Sequence, residues 1–311
     1  MNKESRILII GHNDIIERSL YNYFVNNGFK GAVSSSDIAL NTTIQSSVFH
    51  YFSGCRPEYV FLSSVRSGGI EANIKFGADF IYENLESQNN IFYSANKFGV
   101  KKLIYFASSC VYPKNCEQPI KENSLLIGPI EETSAPYATA KIAGIETARA
   151  FRKQYNFNCI TAIPATIYGP GNETDKETSH VIQALIAKFS DALENKSEEV
   201  IVLGTGEPRR EFLYSDDFVR AVILLMEKYN DNEIINIGCG NDISIKELAQ
   251  MIAKTIGFKG KIKFDTSRPD GVKQKLLDNQ KITSLGWQSK VSLEEGLRKT
   301  IDWYREIKDK K

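Results

Sequence analysis

Tyr137 and Lys141 stand four residues apart in the run Pro136-Tyr137-Ala138-Thr139-Ala140-Lys141-Ile142-Ala143-Gly144. On a helix that spacing places both on one face. An ammonium there can lower the pKa of the phenol, so that the tyrosine gives or takes a proton near neutral pH. The pair alone recurs by chance in many helices. Here it follows Phe106-Ala107-Ser108-Ser109-Cys110-Val111-Tyr112-Pro113, an apolar strand that ends in two hydroxyls and a thiol.

The elements that must position these groups are legible as alternation. Arg6-Ile7-Leu8-Ile9-Ile10-Gly11 reads as a strand and a turn, and helical periodicity follows from about Ile15 to Val25. Tyr59 to Leu62, Lys102 to Phe106 and Cys159 to Ile163 are further apolar strands, with amphipathic helices around 77–97 and 136–156. Strands alternating with helices predict an α/β fold with a parallel sheet covered on both faces. The rhythm breaks after Tyr168-Gly169-Pro170-Gly171. Beyond it come helical patterns near 180–195, 216–229, 244–257 and 292–307, and strands at Val200 to Leu203 and Ile234 to Gly238. The second of those strands is expected to rejoin the first sheet, which makes the smaller C-terminal lobe interleaved with the larger one.

Composition narrows the function classes. The chain has 311 residues, with 42% hydrophobic and 25% charged content, ordinary values for a globular protein of one or two domains. A net charge of +1 gives no electrostatic reason for a nucleic-acid or anionic-membrane partner. No apolar run approaches a membrane span, and the first residues lead into a strand without a signal peptide. Cys55, Cys110, Cys116, Cys159 and Cys239 are scattered and lack metal-ligand spacing, so free thiols in a reducing cytoplasm are expected, with no metal.

Ser108, Tyr137 and Lys141 together resemble the catalytic set of the extended short-chain dehydrogenase/reductases. Within that superfamily the chain is similar to the GDP-L-fucose synthase family, epimerase/reductases of 4-keto-6-deoxy nucleotide-sugars. The likeness runs nearly end to end. It is carried by Gly68-Gly69-Ile70-Glu71-Ala72-Asn73, by Ala78-Asp79-Phe80-Ile81-Tyr82-Glu83-Asn84-Leu85 and by the segments quoted above. Ser179-His180-Val181-Ile182, Arg210-Glu211-Phe212-Leu213 and Pro269-Asp270-Gly271 extend it. The resemblance implies a Rossmann-like doubly wound fold. Residues 1–170, rejoined by about 216–240, would bind the dinucleotide, and 171–215 with 241–311 the nucleotide-sugar. It also implies a homodimer built on the two long helices.

The same resemblance implies roles. Tyr137 would protonate O4 as hydride reaches C4, Lys141 would tune it and hold the nicotinamide ribose, and Ser108 would hydrogen-bond the C4 oxygen, with Ser109 in support. A C4 ketone acidifies the neighbouring C3 and C5 protons, and epimerisation there needs a base and an acid on opposite faces of the ring. The family's base and acid correspond to Cys110 and His180; taken singly, a small buried hydrophobe and a loop histidine are the alternatives. Gly11, Asn13, Asp14, Ile15 and Asp37 fall in the implied cofactor site, as do Ser63, Pro164 and His180. Arg210 is a candidate for the diphosphate because its guanidinium can bind two oxygens. Lys188 could do similar work or remain a surface cation. Val181 and Leu185 would pack on the base or in the core, and Thr166, Leu203 and Asp270 complete the implied substrate set.

The sequence departs from the family at three places. G-x-x-G-x-x-G is replaced by Gly11-His12-Asn13-Asp14-Ile15-Ile16-Glu17, which sets two carboxylates near a helix N-terminus where a pyrophosphate would bind. The basic residues that mark NADP users are absent from Asn13 and from Ser34-Ser35-Ser36-Asp37, and Asp37 could instead accept from a ribose 2′-hydroxyl. Thr166 and Leu203 stand where the family has Asn and Trp. The first reading is therefore an epimerase/reductase on a GDP-linked sugar with NADP or NAD. A nucleotide-sugar epimerase with a weakened or lost reduction step, an NADH-dependent reductase, and a non-catalytic nucleotide-sugar binder are the alternatives.

Overall fold

The computed structural model describes residues 1–12, 14–171, 181–267 and 270–309. The chain opens with β1 (Ile7–Ile10), α1 (Ile15–Asn26), β2 (Ala32–Ser34), α2 (Gln45–Cys55) and β3 (Tyr59–Leu62). A short α3 (Ile70–Lys75) and the long α4 (Gly77–Lys97) lead to β4 (Lys102–Phe106), and α5 (Ala135–Tyr155) leads to β5 (Cys159–Pro164). Then follow β6 (Thr166–Tyr168), α6 (Val181–Glu194), β7 (Glu199–Leu203), β8 (Arg209–Tyr214), α7 (Ser215–Lys228) and β9 (Ile235–Ile237). The last third holds β10 (Asp242–Ser244), α8 (Ile245–Ile256), β11 (Lys261–Asp265), β12 (Gln274–Lys275), α9 (Gln280–Ser284) and α10 (Leu293–Lys308).

Six strands form the main sheet in the order β2-β1-β3-β4-β5-β9, every neighbouring pair parallel. Strands β1, β4 and β5 are buried along their whole length, which is what unbroken apolar runs require when helices cover both faces. The direction of the winding reverses between β1 and β3. In a doubly wound sheet the crevice outside the carboxyl ends at such a reversal is where ligands bind.

Helix α5 carries Tyr137 and Lys141, and its docking is tight. Pro136 sits in its first turn, where a missing N–H does no harm. Gly144 lies over Tyr105 of β4: a β-carbon at Gly144 would stand 2.2 Å from the Tyr105 hydroxyl oxygen. That hydroxyl donates to Gln88 Oε1 of α4 at 2.8 Å, while Gln88 Nε2 donates to the Ala140 carbonyl of α5 at 3.0 Å. The three elements are thus locked around one buried tyrosine.

A second apolar core lies beyond β5, where α6, α8 and α10 pack with Tyr168, Phe212 and Tyr214. Its sheet is centred on β8, which pairs antiparallel with β10 and parallel with β12 and β6. A separate parallel pair joins β7 and β11. Ser244 and Glu247 close a capping box at the start of α8, and Gly257 ends that helix in the left-handed region at φ +90°. The buried carboxylate of Glu211 on β8 accepts from the backbone of Gly240 at 2.7 Å and of Leu277 at 2.9 Å. It thereby ties β8 to segments that leave the main sheet. Among the described residues no helix is long and apolar enough to cross a membrane, no acidic, histidine or cysteine cluster could hold a metal, and the five cysteines are unpaired.

Replacing Gly144 by Ala should destabilise the protein by about 1–3 kcal/mol, because overpacking against the fixed Tyr105 ring outweighs the gain of roughly 1 kcal/mol in helix propensity. Urea unfolding of the Gly144→Ala variant checks this; a variant as stable as the parent would show that α5 can shift on β4.

Candidate active site

A cavity of about 1380 Å³ runs along the carboxyl ends of β1, β3, β4 and β5 and under the smaller sheet. Gly11, Asp14, Ile15, Ser63, Ser108, Ser109, Cys110, Tyr137, Pro164, Thr166 and Arg210 all line it, gathering residues from both parts of the chain into one space. Lys141 lies beneath this wall. It is 1% exposed, and its ammonium donates to the Phe106 carbonyl at the end of β4 at 2.8 Å.

The Tyr137 hydroxyl makes its hydrogen bond with Ser64 Oγ, at 2.8 Å. Ser108 instead caps the short turn Ser109–Val111, its hydroxyl accepting from the Cys110 N–H at a long 3.5 Å. The expected lowering of the phenol by the Lys141 ammonium is not what the structure gives. Burial pushes Tyr137 well above its ordinary value, Cys110 and Asp14 add to this, and the Ser64 bond acts against it. Lys141 lies 5.8 Å from the centre of the Tyr137 ring, and burial brings the lysine itself down to about 7, with Cys110 and Asp14 opposing. The cause is common to both: a dry site disfavours every charged form.

Cys110 is buried, and burial raises its thiol, while Lys275, the Ser108 hydrogen bond and Lys141 act in the opposite direction. Lys275 on β12 lines the cavity and is lowered by burial, with Cys110 the largest influence opposing this. Sequence reasoning missed Lys275 because a two-residue strand has no periodicity to read. It also missed Ser64, one of two adjacent serines after β3.

The glycine-poor loop is built differently from its appearance in sequence. Asp14 is the N-cap of α1, its Oδ1 accepting from the Glu17 N–H at 2.8 Å, and Ser63 Oγ lies 3.3 Å from Oδ2. Burial first, and then the charge of Glu17, raise Asp14 to about 6, against its hydrogen bonds. Glu17 does not stand at the helix N-terminus as a second exposed carboxylate. It is 1% exposed, packs against Gly11, where a β-carbon would meet Glu17 Cβ at 2.8 Å, and turns toward β2.

Several other expected site residues lie elsewhere. Asp37 is exposed and does not line the cavity, where Ser35 and Ser36 take its place because the chain turns at their hydroxyls. Lys188 donates to the Ile201 carbonyl at 3.2 Å, held by β7 rather than by the cavity. Leu203 is 46% exposed at the end of the two-stranded sheet. Asp270 caps the turn after it, accepting from Thr205 N–H at 2.9 Å and Thr205 Oγ1 at 2.6 Å. Val181 and Leu185 pack in the second core, which is where an apolar helix face goes when α8 and α10 cover it. Asn13 and His180 lie outside the described residues.

A Tyr/Lys helix docked at the carboxyl edge of a doubly wound parallel sheet, with a serine and a thiol facing it, defines a Rossmann-type enzyme site. Residues 7–238 match the NAD dependent epimerase/dehydratase family, and the chain belongs to that family. Within it, the GDP-L-fucose synthase 1 of Arabidopsis thaliana is 43% identical over 303 residues, covering 97% of this chain and 94% of the relative. The crystal structure of a GDP-6-OMe-4-keto-L-xylo-heptose reductase from C. jejuni is 34% identical and superposes with a TM-score of 0.92 over 99% of each chain. A GDP-mannoheptose C4 reductase from Campylobacter jejuni with NADP bound is 35% identical, with a TM-score of 0.89 over 98% of this chain and 99% of that one.

Asp14 gives the site a pH signature in stability. A carboxyl raised from 3.8 to about 6 binds its proton more tightly in the folded state. Its contribution to stability is therefore greatest at acid pH, falls as pH rises from about 4 to 6, and stays lost above that. Asn keeps the N-cap oxygen without the charge, so Asp14→Asn should gain roughly 1–3 kcal/mol at pH 8 and nothing at pH 4. Chemical denaturation at the two pH values measures this; equal gains at both would remove the charge as the cause.

Proposed function

We propose that this chain is a GDP-sugar epimerase/reductase that acts on a 4-keto-6-deoxy-hexose, with the substrate's ring in the cavity between Cys110 and Tyr137. The observation that carries the reading is the convergence of Ser108, Cys110 and Tyr137 on one cavity wall, with Lys141 bonded to the strand end behind them. The nucleotide-sugars in the names of the relatives support the GDP linkage. Residues 1–170 with 216–240 take the dinucleotide in this reading, and the remainder takes the nucleotide-sugar.

The wall residues fit a nicotinamide at one end. Tyr137, Ser64 and Pro164 stand together at the carboxyl ends of β3 to β5. At the phosphate end the fit is narrower, because the Asp14 side chain already occupies the N-terminus of α1. A bound nicotinamide dinucleotide supplies hydride to C4. The Tyr137 hydroxyl gives its proton to O4, and its raised pKa keeps it in the protonated form that this step needs. Lys141 holds the Phe106 carbonyl and so fixes the height of the helix that carries Tyr137.

Epimerisation requires no cofactor. Cys110 as thiolate removes a proton from C3 or C5, the electron pair delocalises into the C4 ketone, and an acid on the opposite face returns a proton. His180 takes that second role by resemblance. Burial works against the thiolate, and Lys275 and Lys141 favour it in their charged forms. Arg210 and Lys275, paired across β8 and β12, would meet the diphosphate. Free thiols fit a cytoplasmic protein, and the exposed Tyr82 and Tyr93 on α4 fit a homodimer through α4 and α5.

With GDP-4-keto-6-deoxy-mannose in D₂O, the protein should place deuterium at C3 and C5, read by mass spectrometry. Cys110→Ser should slow that exchange at least about 100-fold, while Tyr137→Phe leaves exchange in place and stops reduction at C4. Exchange that persists in Cys110→Ser would take the base role from this thiol.

A further inference from the structure

Ser64 stands two residues beyond the end of β3, is 6% exposed and lines the cavity. Its Oγ lies 2.8 Å from the phenolic oxygen of Tyr137, and among the described residues neither hydroxyl has another hydrogen bond. The other members of the Ser/Tyr/Lys set are held elsewhere. Ser108 Oγ accepts from the Cys110 N–H at 3.5 Å. The Lys141 ammonium donates to the Phe106 carbonyl at 2.8 Å and lies 5.8 Å from the centre of the phenol ring.

The count of hydrogens sets the direction of the Ser64 bond during reduction. A phenol and a serine hydroxyl each carry one hydrogen and can also accept. In the free site either can be the donor. A ketone oxygen only accepts, so with a C4 ketone bound the phenol directs its hydrogen to O4, and Ser64 can then only donate to the phenol. As hydride reaches C4, the carbonyl π pair moves to O4 and O4 takes the Tyr137 proton. The electron pair of the broken O–H bond stays on the phenolic oxygen, which becomes a phenolate. The serine keeps its own proton, and its hydrogen bond becomes charge-assisted, roughly twice as strong as one between neutral groups. A bond that strengthens only as the reaction proceeds accelerates the step.

Little else around the phenol favours that charge. The titratable groups that face it are Asp14 at the start of α1, Cys110 after β4, Tyr105 within β4 and Lys141 on α5. Burial disfavours a phenolate there, as do Cys110 and Asp14 when ionised, and Ser64 favours it. Phe80 of α4 meets the Tyr137 ring edge to face, with centroids 6.3 Å apart, and offers no donor. We propose that Ser64 is a positioning residue for the reduction step, whose hydroxyl directs the Tyr137 proton to the C4 oxygen and holds the phenolate that remains. The role rests on the reading above, in which Tyr137 protonates O4.

The test places 3,5-difluorotyrosine at position 137 of the full chain, where the fluorines make the phenol acidic enough to titrate in the folded protein, and follows its ionisation by ¹⁹F NMR without substrate. Ser64→Ala should raise that pKa by at least about one unit, and Ser64→Thr, which keeps a hydroxyl, should leave it near the parent's. In turnover with NADPH and GDP-4-keto-6-deoxy-mannose, Ser64→Ala should lower kcat for reduction at C4 at least about tenfold with KM little changed; loss of an oxyanion donor costs up to about 10²–10³. Deuterium should still enter C3 and C5 in that variant, which shows that the site is folded, and Ser64→Thr should recover the reduction. An unchanged pKa or an unchanged kcat in Ser64→Ala overturns the role and leaves the epimerase/reductase standing. A parent chain that takes up deuterium and never reduces C4 refutes the reduction reading, and the role with it, whatever the ¹⁹F titration gives.

Discussion

The site depends on one buried hydrogen bond, from the Lys141 ammonium to the Phe106 carbonyl at the carboxyl end of β4. A parallel strand that ends in a sheet interior leaves its last carbonyls without a ladder partner, and a lysine reaching down from α5 satisfies one of them. The same bond sets how far α5 slides along β4, and with it where the Tyr137 hydroxyl stands. Desolvation makes this an expensive place for a cation, which is why its pKa falls to about 7. The neighbouring Cys110 and Asp14 partly offset that penalty when ionised, so the charges of the site are mutually dependent. Removing one alters the protonation of the rest.

Glycine at 144 and tyrosine at 105 show how the scaffold bears this. Close approach of α5 to β4 at Gly144 keeps Lys141 buried, and Gln88, bonded to both the Tyr105 hydroxyl and the Ala140 carbonyl, fixes the helix against the same tyrosine. The smaller lobe adds its own constraint through Glu211, whose carboxylate bonds the backbone at Gly240 and Leu277. That places β8 and β12, and so Arg210 and Lys275, opposite the strand ends. The cavity is thus a seam between two separately packed cores, and its chemistry comes from both sides.

Much of this was legible in sequence because the relevant elements are long. Apolar runs of four to six residues gave β1, β3, β4 and β5 nearly to the residue, and 21-residue helices gave α4 and α5. The smaller sheet was mostly illegible. Strands of two and three residues such as β12 and β10 have no periodicity, and their pairing is set by the partner rather than by their own composition. The site residues divide in the same way. Those at or just after strand ends, Ser108, Cys110 and Pro164, reach the cavity because β4 and β5 end there. Lys188 and Asp270 do not, because the Ile201 carbonyl and the Thr205 turn took their polar groups first, and Leu203 does not, because β7 lies in the separate two-stranded sheet and leaves it exposed.

Glu17 illustrates the limit more sharply. As a letter in a broken glycine motif it is a like charge facing a phosphate. In the fold it is a buried acceptor for three serines that a reader of the sequence meets seventeen to nineteen positions later. Neither the glutamate nor the serine run is informative alone, since a buried carboxylate without donors is costly and three hydroxyls without an acceptor are merely polar. Their mutual satisfaction, with Asp14 as the N-cap, is how the first turn closes with two carboxylates in it. It also turns the Glu17 carboxylate away from the N-terminus of α1, where Asp14 is the cap, so that this charge is held by its own donors and does not face the helix end.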